Sequence, residues 1–156
     1  METAYIKTPL GIAEIIGDAN GIAVISIHDE GISSTTIPSV LTEAVTQLNE
    51  YFNGNRHDFS FRLNPSGTDF QQKVWQELCN IPFGKTISYL DLSKKLGDVK
   101  AIRAVASANG KNPLWIAVPC HRVIGTDGSL TGYAGGLWRK KWLIEHENPT
   151  HQQSLF

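Results

Sequence analysis

Only two cysteines, Cys79 and Cys120, occur in the 156 residues. That is too few for a disulfide scaffold, so a reducing compartment, the cytoplasm, is expected. Cysteine and histidine are nowhere clustered, which argues against a structural zinc site; no metal and no cofactor is expected. No apolar run approaches the ~18 residues of a membrane span, and the first residues lack the basic-then-apolar order of a signal peptide. Neither membrane insertion nor secretion is therefore expected. Internal repeats and low-complexity tracts are also missing. With 41% hydrophobic and 19% charged residues, the chain can bury a real core, which excludes a disordered or collagen-like protein. The length allows one domain or two small ones.

The net charge of −1 hides an asymmetry. Residues 1–67 hold three basic residues (Lys7, Arg56, Arg62) against eight acidic ones, whereas residues 68–156 hold eleven basic against seven acidic. Between 100 and 142 seven bases stand against the single acid Asp127. The back half is suited to a polyanion although the whole chain is not basic.

Residues 4–8, 12–17 and 22–28 are β-rich runs separated by turn residues, which predicts a β-meander. Apolar residues at Val40, Leu41, Ala44, Val45, Leu48 and Phe52 have helical spacing, and the alternation in 59–63 suggests a further strand. Turn chemistry in Asn64-Pro65-Ser66-Gly67 coincides with the change of charge, so a domain boundary is placed there. Beyond it, Phe70, Val74 and Leu78 share a helical face, with Thr68 as N-cap. Ser88 to Asp91 reads as a capping box opening a short helix closed by Gly97, and a second helix follows over about 99–109. Two short helices around a glycine turn suggest a helix-turn-helix. A last helix is expected over about 137–146 and a frayed tail over 149–156. The fold class is thus α+β: a small N-terminal antiparallel sheet with a helix over 1–67, then a mainly helical domain over 68–156.

In the second helix of the pair, Ile102, Val105, Ala106 and Asn109 are assigned to the core face. Ala101, Ala104, Ser107 and Ala108 are assigned outward, with Arg103 at the edge. An outward face nearly bare of side chains suits close approach to a narrow surface such as the DNA minor groove, about 6 Å wide. The alternative is that alanine is simply the best helix former. Arg103 would snorkel or pair with an acid, or insert into a base stack in place of a flipped nucleotide.

Cys120 stands in Pro119-Cys120-His121-Arg122-Val123, with a glycine-rich loop downstream and Glu147 at the end of the last helix. A cysteine nucleophile acts as its thiolate, and a nearby imidazole held by a carboxylate can take the thiol proton, directly or through water. Cys79 has no polar cluster around it and is read as structural.

The segment 119–123 resembles the active-site motif of the O6-alkylguanine-DNA alkyltransferases (methylated-DNA–protein-cysteine methyltransferases). Tyr133 to Leu137, Lys141-Trp142-Leu143, Glu147, Arg103-Ala104-Val105 and Asn112-Pro113 fall at the family's spacing. Residues 1–67 look like its smaller, ribonuclease-H-like domain, and 68–156 like its DNA-binding and alkyl-acceptor domain. The resemblance implies direct, single-turnover repair. An alkyl group passes irreversibly from O6-alkylguanine, and from O4-alkylthymine, in double-stranded DNA to Cys120. It further implies that His121 activates Cys120 through water and that Glu147 orients His121. Tyr89 would hydrogen-bond the guanine ring and Arg103 would fill the vacated stack. Asn112 would hold the active-site loop, while Tyr133 and Ala134 line the nucleotide pocket. Many relatives have serine where Ala134 stands, so a hydroxyl contact is absent there. The family also places Trp115 beside the alkyl pocket, as a wall against bulky groups; an ordinary core tryptophan is the alternative. Trp75, Trp138 and Trp142 are read as packing residues. A monomer is expected, nucleoid-associated if bacterial. The rival classes are a non-catalytic alkylated-DNA binder of the same fold, a Cys-His-Glu hydrolase and a helix-turn-helix regulator.

Overall fold

The computed structural model describes residues 1–133 and 135–149. Ala134 and the tail over 150–156, including most of the segment expected to fray, lie outside them. The chain divides into two compact units, Met1–Ser66 with Pro113–Ala117, and Gly67–Asn112 with Val118–Phe156. The segment 113–117 thus returns to the first unit, although a single cut at 67 assigns it to the second.

The first unit is built on an antiparallel meander of β1 (Glu2–Thr8), β2 (Gly11–Asp18) and β3 (Gly21–His28). Alternation along the central strand buries Ala13, Ile15 and Gly17 on one face, while Ile12, also buried, lies on the other. The helix α1 (Thr42–Phe52), preceded by a short 3-10 turn, contributes Ala44, Val45, Leu48 and Tyr51 to the same core. Segment 59–63 is not the strand its alternation suggests. It makes one parallel bridge, Leu63 to Ile22, and is otherwise held by the Gln47 carboxamide, which accepts from Ser60 N at 2.8 Å and donates to Ser60 Oγ. A second single bridge joins Leu114 to Ile25. Two isolated contacts occupy the outer edge of β3 that a fourth strand would otherwise take.

In the second unit, α2 (Asp69–Leu78) opens with a full capping box between Thr68 and Gln71. Its buried face is Val74, Trp75 and Leu78, while Phe70, expected on that face, is 40% exposed at the first turn. The two-residue strands β4 (Ile87–Ser88) and β5 (Val123–Ile124) pair in parallel. Their pairing sets the first turn of α3 (Tyr89–Lys95) beside the chain that leaves Cys120. The Ser88 hydroxyl accepts from Asp91 N at 3.0 Å and caps α3. Gly97, at φ +87°, turns the chain, and Asp98 caps a 3-10 turn leading into α4 (Ile102–Gly110). Trp75 Nε1 donates to Ala108 O at 2.9 Å and ties α2 to α4. The last helix, α5, is Leu137–Glu147. Trp138, read as packing, is 56% exposed, with the Arg139 guanidinium 4.7 Å from its ring centre. Among the described residues no helix is long and apolar enough to cross a membrane.

Candidate active site

The Pro119 ring fixes φ at −81°, and with ψ at 63° Cys120 N donates to Val118 O at 2.8 Å, an inverse γ-turn. A 3-10 turn, Cys120–Arg122, follows at once. The Asn112 carboxamide donates to Val118 O at 2.8 Å and pins the start of this double turn. Cys120 is buried, and burial pushes its thiol pKa up; Asn112 and the Lys140 ammonium oppose the rise. The resting side chain is therefore a thiol, and it needs a base.

The next residue can be that base. His121 is fully buried, with Nε2 2.7 Å from Glu147 Oε2. Arg122 donates through Nε to Glu147 Oε1 at 2.8 Å and through Nη2 to Oε2 at 3.0 Å, and its Nη1 donates to Ile81 O at 2.7 Å. Gly84 N adds a longer contact to Glu147 Oε1 at 3.4 Å, and Asn148 donates to Gly84 O. Burial alone would raise the Glu147 pKa. His121 and Arg122 outweigh it and hold the carboxyl well below the usual carboxylate range. Burial pulls the His121 pKa below the ordinary imidazole value, against Glu147. The ionised carboxylate can only accept, so the neutral ring places its proton on Nε2. The lone pair is then on Nδ1, a buried atom with no hydrogen-bond partner among the described residues.

Sequence reasoning missed Lys140, counted there as one base in a charged cluster. It is fully buried, donates to Thr131 O at 2.8 Å and has its pKa lowered to about 8 by burial, with the Cys120 charge opposing. The signal was present: 140, 143, 144 and 147 are i, i+3, i+4 and i+7, one face of α5. Lys140 shares that face with Glu147.

Tyr89 lies at the start of α3, with Lys140 Nζ 5.9 Å from its ring centre. Burial raises its phenol pKa, which the Asn109 amide opposes by donating to the hydroxyl at 3.3 Å. Tyr89, Arg103, Ala106, Thr131 and Tyr133 line one groove of about 610 Å³. Arg103, Ala104 and Ser107 are exposed and Ala101 is half-buried. Ala108 is not on the outward face: it is 3% exposed. At 3.6 residues per turn it lies only about 60° from Val105, the centre of the buried face. Trp115 belongs to the first unit, its ring 6.1 Å from Phe52 and its indole nitrogen without a partner among the described residues. Strand alternation does not apply to it, because Ile116 next to it sits at φ +69° and Ala117 N turns back onto Trp115 O. Among the described residues no group of three His, Cys, Asp or Glu side chains could hold a metal ion.

One unit thus holds a pair of short helices, α3 and α4, together with a buried thiol and a carboxylate-held imidazole, the elements of a DNA-binding protein with a reactive cysteine. Two family models match the chain: the ribonuclease-like domain of 6-O-methylguanine DNA methyltransferase over residues 1–65, and its DNA-binding domain over 69–149. A methylated-DNA–protein-cysteine methyltransferase of Mycobacterium bovis is 51% identical over 147 residues, covering 91% of this chain and 89% of that protein. One from Methanosarcina barkeri is 41% identical over 149 residues, covering 91% and 94%. The crystal structure of Mycobacterium tuberculosis OGT in complex with DNA matches with a TM-score of 0.87 at 42% identity, covering 96% of this chain and 94% of that one. The chain belongs to the 6-O-methylguanine DNA methyltransferase family.

Proposed function

We propose that this protein reverses alkylation damage in double-stranded DNA by moving the alkyl group of O6-alkylguanine, and of O4-alkylthymine, onto Cys120. The observation that carries the reading is the site's proton path: a buried thiol, then an imidazole whose Nε2 proton is committed to Glu147 and whose Nδ1 has no partner among the described residues. The thiol proton passes to His121 Nδ1, directly or through one water. The sulfur attacks the alkyl carbon in line, the S–C bond forming as the C–O6 bond breaks. The bonding pair stays on the base, which leaves as guanine once it has taken a proton. Tyr89 hydrogen-bonds the guanine ring and offsets its developing charge, and the Lys140 ammonium favours the thiolate. Asn112 holds the double turn that carries the sulfur, and Tyr133 lines the nucleotide pocket. A cytoplasmic monomer, nucleoid-associated in a bacterium, fits a chain whose cysteines are both free thiols.

A thioether is not readily hydrolysed, so the reaction stops after one turnover. Intact mass after excess O6-methylguanine duplex should rise by one methyl group per chain, on the peptide containing Cys120. The same Cys-His-Glu arrangement suits a hydrolase, which would release product repeatedly; more than one product per chain decides against single-turnover acceptance, and label on Cys79 decides against Cys120 as the acceptor.

The exposed face of α4 and its neighbouring bases contact the minor groove, with Arg103 filling the gap left by the extruded nucleotide. Extrusion costs a few kcal/mol, least at a mismatched or damaged site. Arg103→Ala should therefore slow transfer about tenfold on a fully matched duplex, and far less when the lesion faces a mismatch or an abasic site. An equal loss on both substrates would reduce Arg103 to a phosphate contact.

A further inference from the structure

Asn109 is a buried carboxamide to which no role has fallen. It is 2% exposed on α4, its Nδ2 donates to the Tyr89 hydroxyl at 3.3 Å, and its Oδ1 is buried without a hydrogen-bond partner among the described residues. Burying an unsatisfied acceptor is unfavourable, and a leucine, with the same branched skeleton of heavy atoms, would leave none. Retaining an amide at such a position indicates that its one made contact has a use.

A phenol oxygen both accepts and donates. An amide N–H directed at the Tyr89 oxygen occupies an acceptor position and leaves the phenolic proton pointing elsewhere. Tyr89 faces the groove that also carries Arg103, Thr131 and Tyr133, and the Thr131 side chain hydrogen-bonds the same hydroxyl; the groove is where that proton can be given. The donated hydrogen bond also favours negative charge on the phenol oxygen, against the effect of burial. Both effects make Tyr89 a better hydrogen-bond donor to a base in the groove.

We propose that Asn109 is a positioning residue for alkyl transfer: it aims the Tyr89 hydroxyl at the extruded base by donating to the oxygen from behind. This rests on the alkyl-acceptor reading of the site.

The test is a double-mutant cycle on the full chain, read as single-turnover methyl transfer from duplex O6-methylguanine. Asn109→Leu should slow transfer about tenfold in the presence of Tyr89, the loss of one hydrogen bond, and by less than about twofold in the Tyr89→Phe protein. Its melting temperature should be unchanged or higher. Equal slowing in both backgrounds would show a packing role and overturn the proposal. Unslowed transfer in Asn109→Leu would overturn it too, because it is the result expected if Oδ1 accepted the phenolic proton and held it back. Should the leucine variant fail to fold, Asn109→Ala takes its place in the cycle. The 13Cζ resonance of Tyr89, assigned by its loss in Tyr89→Phe, gives a readout independent of activity and should move in Asn109→Leu. An unmoved resonance with normal wild-type transfer sinks this proposal alone. A wild-type chain that takes up no methyl group sinks the alkyl-acceptor reading, and the catalytic part of the proposal with it.

Discussion

Cys120→Ala should abolish methyl transfer completely while leaving DNA binding within about threefold of wild type. The one other cysteine in the sequence is Cys79. Its thiol, at the end of α2, is pushed up by burial, and no histidine stands next to it in sequence as His121 does to Cys120. Binding is expected to survive because the proposed contacts lie elsewhere, on exposed Arg103, Ala104 and Ser107 and on the bases around them. Their phosphate contacts release counterions, so log affinity should fall linearly with log salt, with a similar slope in both proteins. Transfer rate and binding isotherms at two or three salt concentrations check this. Residual transfer, or lost binding in a variant with a folded spectrum, would contradict the separation of chemistry from recognition. A salt-independent affinity would contradict the phosphate contacts themselves.

The reactive centre was largely legible because it is local. Pro119, Cys120, His121 and Arg122 are consecutive, so a motif carries most of the geometry, and Glu147 stands at the end of the last helix, at the spacing the family resemblance implies. What was not legible depended on contacts distant in sequence. Lys140 reads as one base of a charged cluster because lysine is almost never fully buried unless its charge finds a partner; its hydrogen-bond partner, the Thr131 carbonyl, belongs to another segment. Segment 59–63 has strand alternation, but a strand needs an edge along its length, and single bridges to Leu63 and Leu114 occupy that edge of β3. Alanine gives little hydrophobic contrast, so the sequence pattern of α4 does not centre its buried face, and Ala108 falls on the wrong side of it.

Glu147→Gln should cost both stability and rate, and the two losses have different pH signatures. The carboxylate accepts from His121 and from two nitrogens of the buried Arg122. Removing its charge leaves a guanidinium that is only 6% exposed without its counter-ion. Breaking a buried pair in this way costs about 3–5 kcal/mol, on the order of a 10 °C fall in Tm for a chain of this size. The folded pKa of Glu147 is depressed, so its contribution is present above the unfolded carboxylate value of about 4.3 and is lost as pH falls toward the folded value. The gap in Tm between wild type and Glu147→Gln should therefore be full at pH 7 and should narrow below about pH 4. The kinetic loss runs the other way along the pH axis. Without Glu147 the ring loses the acceptor that commits its proton to Nε2 and the charge that would stabilise an imidazolium. His121 then takes the thiol proton less readily, and the burial-raised thiol must ionise by itself. Methyl transfer near neutral pH should fall about 100-fold, within the range removed with a general base, and the pH–rate curve should shift to higher pH. A variant that loses stability but keeps the wild-type pH–rate curve would reduce Glu147 to an anchor for Arg122 and the end of α5.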